Sequence, residues 1–329
     1  MLNRILIGLL TCVCVLGLSG CEQELKPSRS FEVATVGAQG AALSDDGSYA
    51  VIGSVHQGGS LWRVNDGERL YNWNHRQDQL ASISNADFSP DGNWALTADS
   101  HTMVLWDMQD GSAFRFWTAP GEVLSVSLSM NGNYALLGLS DFSAVLFDVK
   151  RGGIRRTFRH QGRVRSVALS DDGRLALTGS EDYTAVLWDV ASGKPLHSIS
   201  HDDDVQLVAL SPDGKRALSA AKYDKAVVWD TGSGQVIGNI PLSTEKVRRG
   251  VRFTTARFSA NGRLLLTGLP DRVVQLWDST SMKELGAWVL PKRDAWKPTG
   301  SSVLAVAFAK QDNRYFAIAS NGMVHQLDR

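Results

Sequence analysis

Residues able to act as nucleophiles, general bases or metal ligands are sparse in this chain. Seven His and three Cys are spread over 329 residues. The sequence contains no Gly-x-Ser-x-Gly nucleophile elbow, no phosphate-binding loop and no zinc-binding His-Glu-x-x-His motif. Asp202, Asp203 and Asp204 follow one another in a single predicted loop, where a solvated turn explains them. We therefore expect no catalytic residue, no bound metal and no cofactor.

The charges of the chain are balanced. Lys and Arg together number 34, as do Asp and Glu. Nucleic acid binding depends on a positive field that neutralises phosphates, and this composition supplies none overall. The sequence therefore predicts no nucleic acid partner.

Most of the chain consists of copies of one unit, and the most complete copy runs from Val164 to His201. Side chains from Val164 to Ser170 alternate with a period of two, as in a strand with two distinct faces. The turn sequence Ser-Asp-Asp-Gly follows at 170–173, and further turns separate predicted strands at 175–179, 184–190 and 194–200. Four short antiparallel strands cannot cover their own apolar faces, so copies must stack.

The copies are marked by an aromatic residue at the end of the third strand. Trp62, Trp106, Trp188, Trp229 and Trp277 hold this position, and Phe147 and Leu327 fill two gaps in the series. Successive spacings are 44, 41, 41, 41, 48 and 50 residues. Propeller blades repeat about every 40 to 45 residues, so the spacing indicates seven units with two late insertions.

Trp-Asp pairs at 106–107, 188–189, 229–230 and 277–278, together with the recurring turn, give the chain a resemblance to the WD-repeat β-propeller family. The resemblance implies an all-β fold over residues 31–329, namely a seven-bladed propeller of four-stranded antiparallel blades. The last repeat has material for only three strands. The N-terminal strand Phe31 to Val36 is therefore expected to complete the final blade and close the ring.

The same resemblance implies a structural hydrogen-bond chain formed by His160, Thr178, Asp182 and Trp188. Two further sets fit with the Asp displaced by one residue, and two blades retain only part of the pattern. The displaced sets are His75, Thr97, Asp99 and Trp106, and His201, Ser219, Asp224 and Trp229; the partial ones are Thr267, Asp271 and Trp277, and Asp141 alone. His56 and His101 fall in corresponding turns of the first two blades, but two His without a carboxylate make a weak metal site.

The N-terminus is typical of an export signal. Arg4 precedes an apolar run from Ile5 to Leu18, and Leu18-Ser19-Gly20-Cys21 resembles the lipobox of a bacterial lipoprotein precursor. This resemblance implies a signal peptide at 1–20 and a lipid anchor on Cys21, with a diacylglyceryl group and a further acyl chain such as palmitate. Residues 21–30 are predicted to form the anchor and its tether. An uncleaved anchor helix is the alternative interpretation.

The position after Cys21 bears on localisation. Glu22 replaces the Asp that retains many lipoproteins in the inner membrane, so the chain is expected at the outer membrane facing the periplasm. Cys12 and Cys14 would leave with the signal peptide, so no disulfide is expected.

The two insertions, Pro241 to Arg252 and Trp288 to Ser301, are predicted on the same face of the disc, between the fourth strand of one blade and the first of the next. They carry a cationic and aromatic set that could bind an acidic partner: Lys246, Arg248, Arg249, Arg252, Lys292, Arg293, Trp296 and Lys297. Solvated loops, with the Trp packed on a blade edge, are the alternative.

The sequence therefore predicts a lipid-anchored propeller that acts as a protein-interaction scaffold in the bacterial cell envelope, with an envelope protein as partner and no enzymatic activity. The rival hypothesis is an enzyme or small-ligand binder that uses the central channel. Such a site requires acidic or His side chains converging on the axis. The first strands offer mainly Ser, Ala, Val and Leu there, so no small-molecule substrate is expected.

Overall fold

The chain folds into seven four-stranded antiparallel sheets. The computed structural model describes residues 25–76, 80–241, 253–293 and 301–329. The first strand, β1 (Arg29–Glu32), belongs to the last blade. The strands of blades 1 to 3 are β2 (Ala38–Leu43), β3 (Tyr49–Ser54), β4 (Gly58–Arg63), β5 (Glu68–Asn72), β6 (Asn85–Phe88), β7 (Trp94–Ala98), β8 (Thr102–Asp107), β9 (Ala113–Thr118), β10 (Val123–Leu128), β11 (Tyr134–Leu139), β12 (Ser143–Asp148) and β13 (Ile154–Arg159).

The later blades repeat this order. Blades 4 to 7 comprise β14 (Val164–Leu169), β15 (Leu175–Ser180), β16 (Thr184–Asp189), β17 (Pro195–Ser200), β18 (Val205–Leu210), β19 (Arg216–Ala221), β20 (Ala226–Asp230), β21 (Val236–Ile240), β22 (Thr255–Phe258), β23 (Leu264–Gly268), β24 (Val273–Asp278), β25 (Glu284–Val289), β26 (Val303–Phe308), β27 (Arg314–Ala319) and β28 (Met323–Asp328). First strands of successive blades contact one another, and β2 contacts β26, so the blades form a closed ring in chain order. The predicted seven-bladed fold is confirmed.

The hydrophobic core lies in the spaces between blades. One buried cluster joins blades 1 and 2 through Leu61, Trp73, Phe88 and Trp106, and the other clusters likewise take members from neighbouring blades. A single sheet leaves both faces uncovered, so each blade depends on its two neighbours for burial.

The turn between the first and second strands explains why its sequence recurs. In blade 4 the Ser170 hydroxyl donates to Asp172 at 2.6 Å and accepts from the Leu175 amide at 3.0 Å. Gly173 takes a φ of 68°, a conformation that favours glycine. Ser, Asp and Gly therefore close this turn by their own chemistry, independently of the rest of the blade.

Side chains in or directly after the outer strands of blades 1, 2 and 6 tie each of these blades to the next. Trp73 Nε1 donates to the Gly111 carbonyl at 3.0 Å, and Trp117 Nε1 donates to the Val149 carbonyl at 2.8 Å. Trp288 in β25 is fully buried and donates to the Asp328 carbonyl at 3.2 Å. The prediction that Trp288 begins the second insertion is wrong. Trp288 belongs to β25, which continues to Val289, and its side chain is part of the apolar core.

The ring is closed by β1, which pairs antiparallel with β28. The sequence predicts this strand at Phe31 to Val36, but it ends at Glu32, because the next residues leave the ladder to pack on the turn before β28. There the Val33 amide donates to the Gly322 carbonyl at 2.8 Å, and Val33 and Ala34 are buried. Upstream, Leu25 makes a parallel bridge to Trp288 on the outer edge of blade 6.

A buried His lies behind this closing strand. His325 has no exposed surface, and its Nδ1 lies 2.7 Å from Ser30 Oγ of β1. Its Nε2 has no hydrogen-bond partner among the described residues. Burial lowers the pKa of His325 from 6.5 to about 4. Between these two pH values the imidazole is neutral in the folded protein and protonated in the unfolded chain.

We predict from this that the contribution of His325 to the free energy of unfolding falls as pH is lowered from 6.5 to about 4, because the unfolded chain then binds a proton that folded His325 rejects. The loss from this residue should approach roughly 3 kcal/mol and then level off. Urea unfolding at pH 7.5, 5.5 and 4.5 measures it. The His325→Asn variant, which can still bond Ser30, should show a flatter pH profile; an unchanged profile would contradict the assignment.

Candidate functional site

The four residues of the hydrogen-bond chain in blade 4 lie together. His160 follows β13 of blade 3 and reaches across to blade 4, where its Nε2 lies 2.7 Å from Thr178 Oγ1 and its Nδ1 lies 2.9 Å from Asp182 Oδ2. Trp188 Nε1 donates to Thr178 Oγ1 at 2.8 Å. The chain therefore links two neighbouring blades and satisfies a buried imidazole, a hydroxyl and an indole N–H.

Blade 2 contains the same arrangement with one added relay. His75 Nε2 lies 3.0 Å from Thr97 Oγ1, which also accepts from Trp106 Nε1 at 2.8 Å. Asp99 comes one residue early, and Thr102 bridges the gap: its Oγ1 lies 2.7 Å from His75 Nδ1 and donates to Asp99 Oδ2 at 2.7 Å. The displaced Asp thus still orients the imidazole.

Blade 5 keeps only part of the chain. His201 Nε2 lies 2.9 Å from Ser219 Oγ, and its Nδ1 lies 3.3 Å from Asp224 Oδ2. Trp229 Nε1, although buried, has no hydrogen-bond partner among the described residues. The predicted indole contact of Trp229 is therefore missing from this blade.

The remaining blades lack the His. In blade 6 Trp277 Nε1 donates to Thr267 Oγ1 at 2.9 Å, and Asp271 is exposed. In blade 3 Asp141 accepts from the Ser143 hydroxyl at 2.6 Å, and Phe147 packs edge-on against Trp117. Neither blade 3 nor blade 6 therefore forms the four-residue chain.

The order hydroxyl, imidazole, carboxylate in blade 4 is also that of a nucleophilic triad. Here, however, Thr178 has no exposed surface, and its hydroxyl also donates to the Val186 carbonyl at 3.2 Å. Burial pushes the pKa of Asp182 up, but hydrogen bonds from Thr184 and Gln161 outweigh it and lower the pKa overall. With an ionised carboxylate, a saturated hydroxyl and no access for a substrate, the arrangement is structural.

The cationic loops lie mostly outside the described residues: Lys246, Arg248, Arg249, Arg252, Trp296 and Lys297. Cys21 also lies outside them. Lys292 is exposed. Arg293 already has partners, since it forms an ion pair with Glu32 at 2.9 Å and donates to the Ala34 carbonyl at 3.1 Å. Arg293 therefore helps to hold the ring-closing segment, and its availability to a partner is reduced.

The first strands line a central channel of about 790 Å³. Most of the lining is small or apolar, as expected, but two charged residues occupy equivalent positions on blades 2 and 6: Asp87 and Arg257. Arg257 forms an ion pair with Asp45 at 2.6 Å. Desolvation raises the pKa of Asp87 to about 7, against the pull of Arg257. Desolvation and nearby Asp45 raise the pKa of Asp171, at the same mouth, to about 6.

The sequence analysis did not predict the charged residues of the channel, because positions that face each other on distant blades are far apart in the sequence. A blade-by-blade alignment on the Ser-x-Asp-Gly turn would have placed Asp87 and Arg257 in one layer. His56 and His101 are both exposed, and the described part of the chain holds no cluster of three or more metal-binding side chains.

Repeated four-stranded blades, four of which have a buried Trp near the end of the third strand, define a β-propeller built from tandem repeats. The family model for the WD domain, G-beta repeat (WD40), matches residues 67–107, 152–189 and 247–278. The fold is therefore a seven-bladed β-propeller, and three stretches of its sequence match the WD repeat. No curated protein matches the sequence. Among the described residues, no helix is long and apolar enough to cross a membrane.

Proposed function

We propose that this propeller is a protein-interaction scaffold, anchored by a lipid in the bacterial cell envelope and devoid of enzymatic activity. The observation that carries the scaffold role is the closed ring of WD repeats, whose turns and loops are held in fixed relative positions. A rigid frame lowers the entropy lost when a partner binds to several loops at once. Propellers with WD repeats commonly bind other proteins, which agrees with this role.

The position of Leu25 supports the anchoring part of the proposal. The Leu25 amide donates to the Ala287 carbonyl at 3.0 Å, so a residue only four positions after Cys21 is already in contact with the propeller. A chain spans at most about 3.6 Å per residue, so a lipid on Cys21 would hold the rim of the disc within roughly 14 Å of its attachment point. This is shorter than the tether of residues 21–30 predicted from the sequence.

Anchoring is tested by fractionating cells that express the wild type or the Cys21→Ser variant. The wild type should incorporate a labelled fatty acid and sediment with outer membranes, whereas the variant should do neither. Cys12→Ser is the matched control, since that residue would leave with the signal peptide. Label on the Cys21→Ser protein would contradict the assignment.

The partner surface is tested separately by reversing charges at Arg248, Arg249 and Lys292 together. We expect weaker co-purification of envelope partners from cells, because an acidic partner loses its complementary charges. Reversal of Arg174 and Lys194, which are exposed in turns of blade 4, is the control. Equal recovery from both variants would argue against the loop surface.

One observation favours the channel as a second candidate site, for a small ligand with a cationic group. Four Asp residues of the channel lining outnumber its two cations, Arg257 and Lys310, and a bound amine would offset the charge of the Asp side chains. The four are Asp45, Asp46, Asp87 and Asp171. A thermal-shift series of small amines and guanidines tests this. Stabilisation of the wild type that is lost in Asp87→Asn would support it, and no stabilisation of the wild type would reject it.

A further inference from the structure

The outer edge of blade 3 is strongly cationic. Between Lys150 and Arg165 the sequence has seven Lys and Arg residues and no Asp or Glu. Four of them lie on β13 or in the turn before it and are exposed: Arg151, Arg155, Arg156 and Arg159. Because the whole chain is neutral, this local excess is hidden in the overall composition.

Among the described residues, two of these Arg side chains have structural partners and two do not. Arg155 forms an ion pair with Asp148 at 2.7 Å, and Arg156 donates to the carbonyls of Val190 and Ala191 on blade 4. Within the described ranges, the guanidinium groups of Arg151 and Arg159 contact no carboxylate and no other hydrogen-bond acceptor. These two charges are therefore available to a ligand.

The backbone of β13 is open along the same edge. Among the described strands, β13 pairs with β12 alone and is the outermost of its sheet. The His160 amide donates to the Phe142 carbonyl at 2.9 Å, which places the ladder bonds of β13 on Arg156 and Phe158. The N–H and C=O groups of Thr157 and Arg159 consequently point away from the sheet, and both residues are exposed.

We propose that the edge of β13 binds an extended acidic segment of a partner protein, which adds to blade 3 as a fifth strand. The outward N–H and C=O groups of Thr157 and Arg159 supply main-chain hydrogen bonds, and Arg151 and Arg159 select acidic side chains. A second copy of this chain is disfavoured because its own cationic edge would be repelled. This surface serves the proposed scaffold role, lies on the rim of blade 3, and does not depend on the lipid.

The probe is a short labelled peptide of alternating Glu and Val, titrated with the purified propeller and followed by fluorescence anisotropy. Arg151→Glu combined with Arg159→Glu should weaken binding at least about tenfold. Thr157→Pro should have a similar effect, since it removes an outward N–H without breaking the ladder to β12. Ser198→Pro is the matched control, because Ser198 is exposed at the same register of β17 in blade 4.

Hydrogen exchange provides a readout that needs no variant: the peptide should slow exchange of the Thr157 and Arg159 amides in the wild type. Failure of the peptide to bind, or equal losses in Thr157→Pro and Ser198→Pro, would overturn the proposal. Binding of phosphatidylglycerol vesicles in place of the peptide, abolished by the double charge reversal, would instead assign the edge to a membrane. None of these outcomes depends on Cys21 or the cationic loops, so the proposed anchor and loop surface stand or fall separately.

Discussion

Deleting Arg29 to Val36 should replace the cooperative unfolding of the propeller with a broad transition at lower temperature. The deletion removes β1, leaves the outer edge of β28 unpaired and uncovers the cluster that contains Val33, Ala34 and Phe316. Loss of this apolar burial alone should cost at least about 4 kcal/mol. Differential scanning calorimetry measures the effect, and an unchanged melting profile would argue against closure by this strand.

A point substitution tests the same closure with less disturbance. A Cβ placed on Gly322 would lie 2.0 Å from the Ala34 carbonyl oxygen, so Gly322→Ala should push the closing segment off the ring. Gly322 has a φ of 81°, which adds backbone strain of about 1 to 2 kcal/mol for any other residue. Gly92→Ala is the matched control, because Gly92 has a φ of 71° and a Cβ added there would meet no atom within 4 Å. Equal destabilisation by both variants would mean that the collision with Ala34 has no effect.

Thr178→Val should destabilise the propeller by about 3 kcal/mol. The substitution keeps the shape of the side chain but removes the hydroxyl that bonds both His160 and Trp188. It therefore leaves two buried polar groups without a partner, each costing about 1 to 3 kcal/mol. Chemical denaturation, with the slope of the transition compared between variants, measures this loss.

The other blades supply graded controls for Thr178→Val. Thr267→Val leaves only the Trp277 N–H unsatisfied, and Ser219→Ala leaves only His201 without its hydroxyl partner. Each should cost roughly half as much as Thr178→Val. If all three variants lost the same stability, the hydrogen bonds of Thr178 to both His160 and Trp188 would contribute no more than the single bonds in blades 5 and 6.

The sequence was sufficient to predict the blades because their information is local. The Ser-x-Asp-Gly turn closes through its own side chains, and the third-strand Trp holds one register throughout, as in Ala95 opposite Trp106 and Ala176 opposite Trp188. Seven such units leave a closed ring as the arrangement that buries every face. The resemblance to WD repeats likewise implied the hydrogen-bond chain of blade 4, whose members lie within one blade or at its entry.

Features that depend on packing between distant segments could not be predicted. The effect of Arg257 on the pKa of Asp87 depends on how blades 2 and 6 are placed around the channel. The relay through Thr102 and the unpartnered indole N–H of Trp229 depend on side-chain directions that the sequence pattern leaves open. The closing strand ends earlier than predicted because the amides of Val33 and Ala34 donate to the Gly322 carbonyl, which is nearly 290 residues away in the sequence.

The contact of Leu25 with β25 also sets how the disc would stand on a bilayer. Leu25 meets blade 6 and β1 completes blade 7, so the chain enters at the circumference, and neither flat side lies against that point. A lipid on Cys21 would then attach the propeller to the membrane by its rim, with both flat sides open to the aqueous phase. Blade 3 is three blades from each of blades 6 and 7, so its Arg-rich rim would point directly away from the membrane surface.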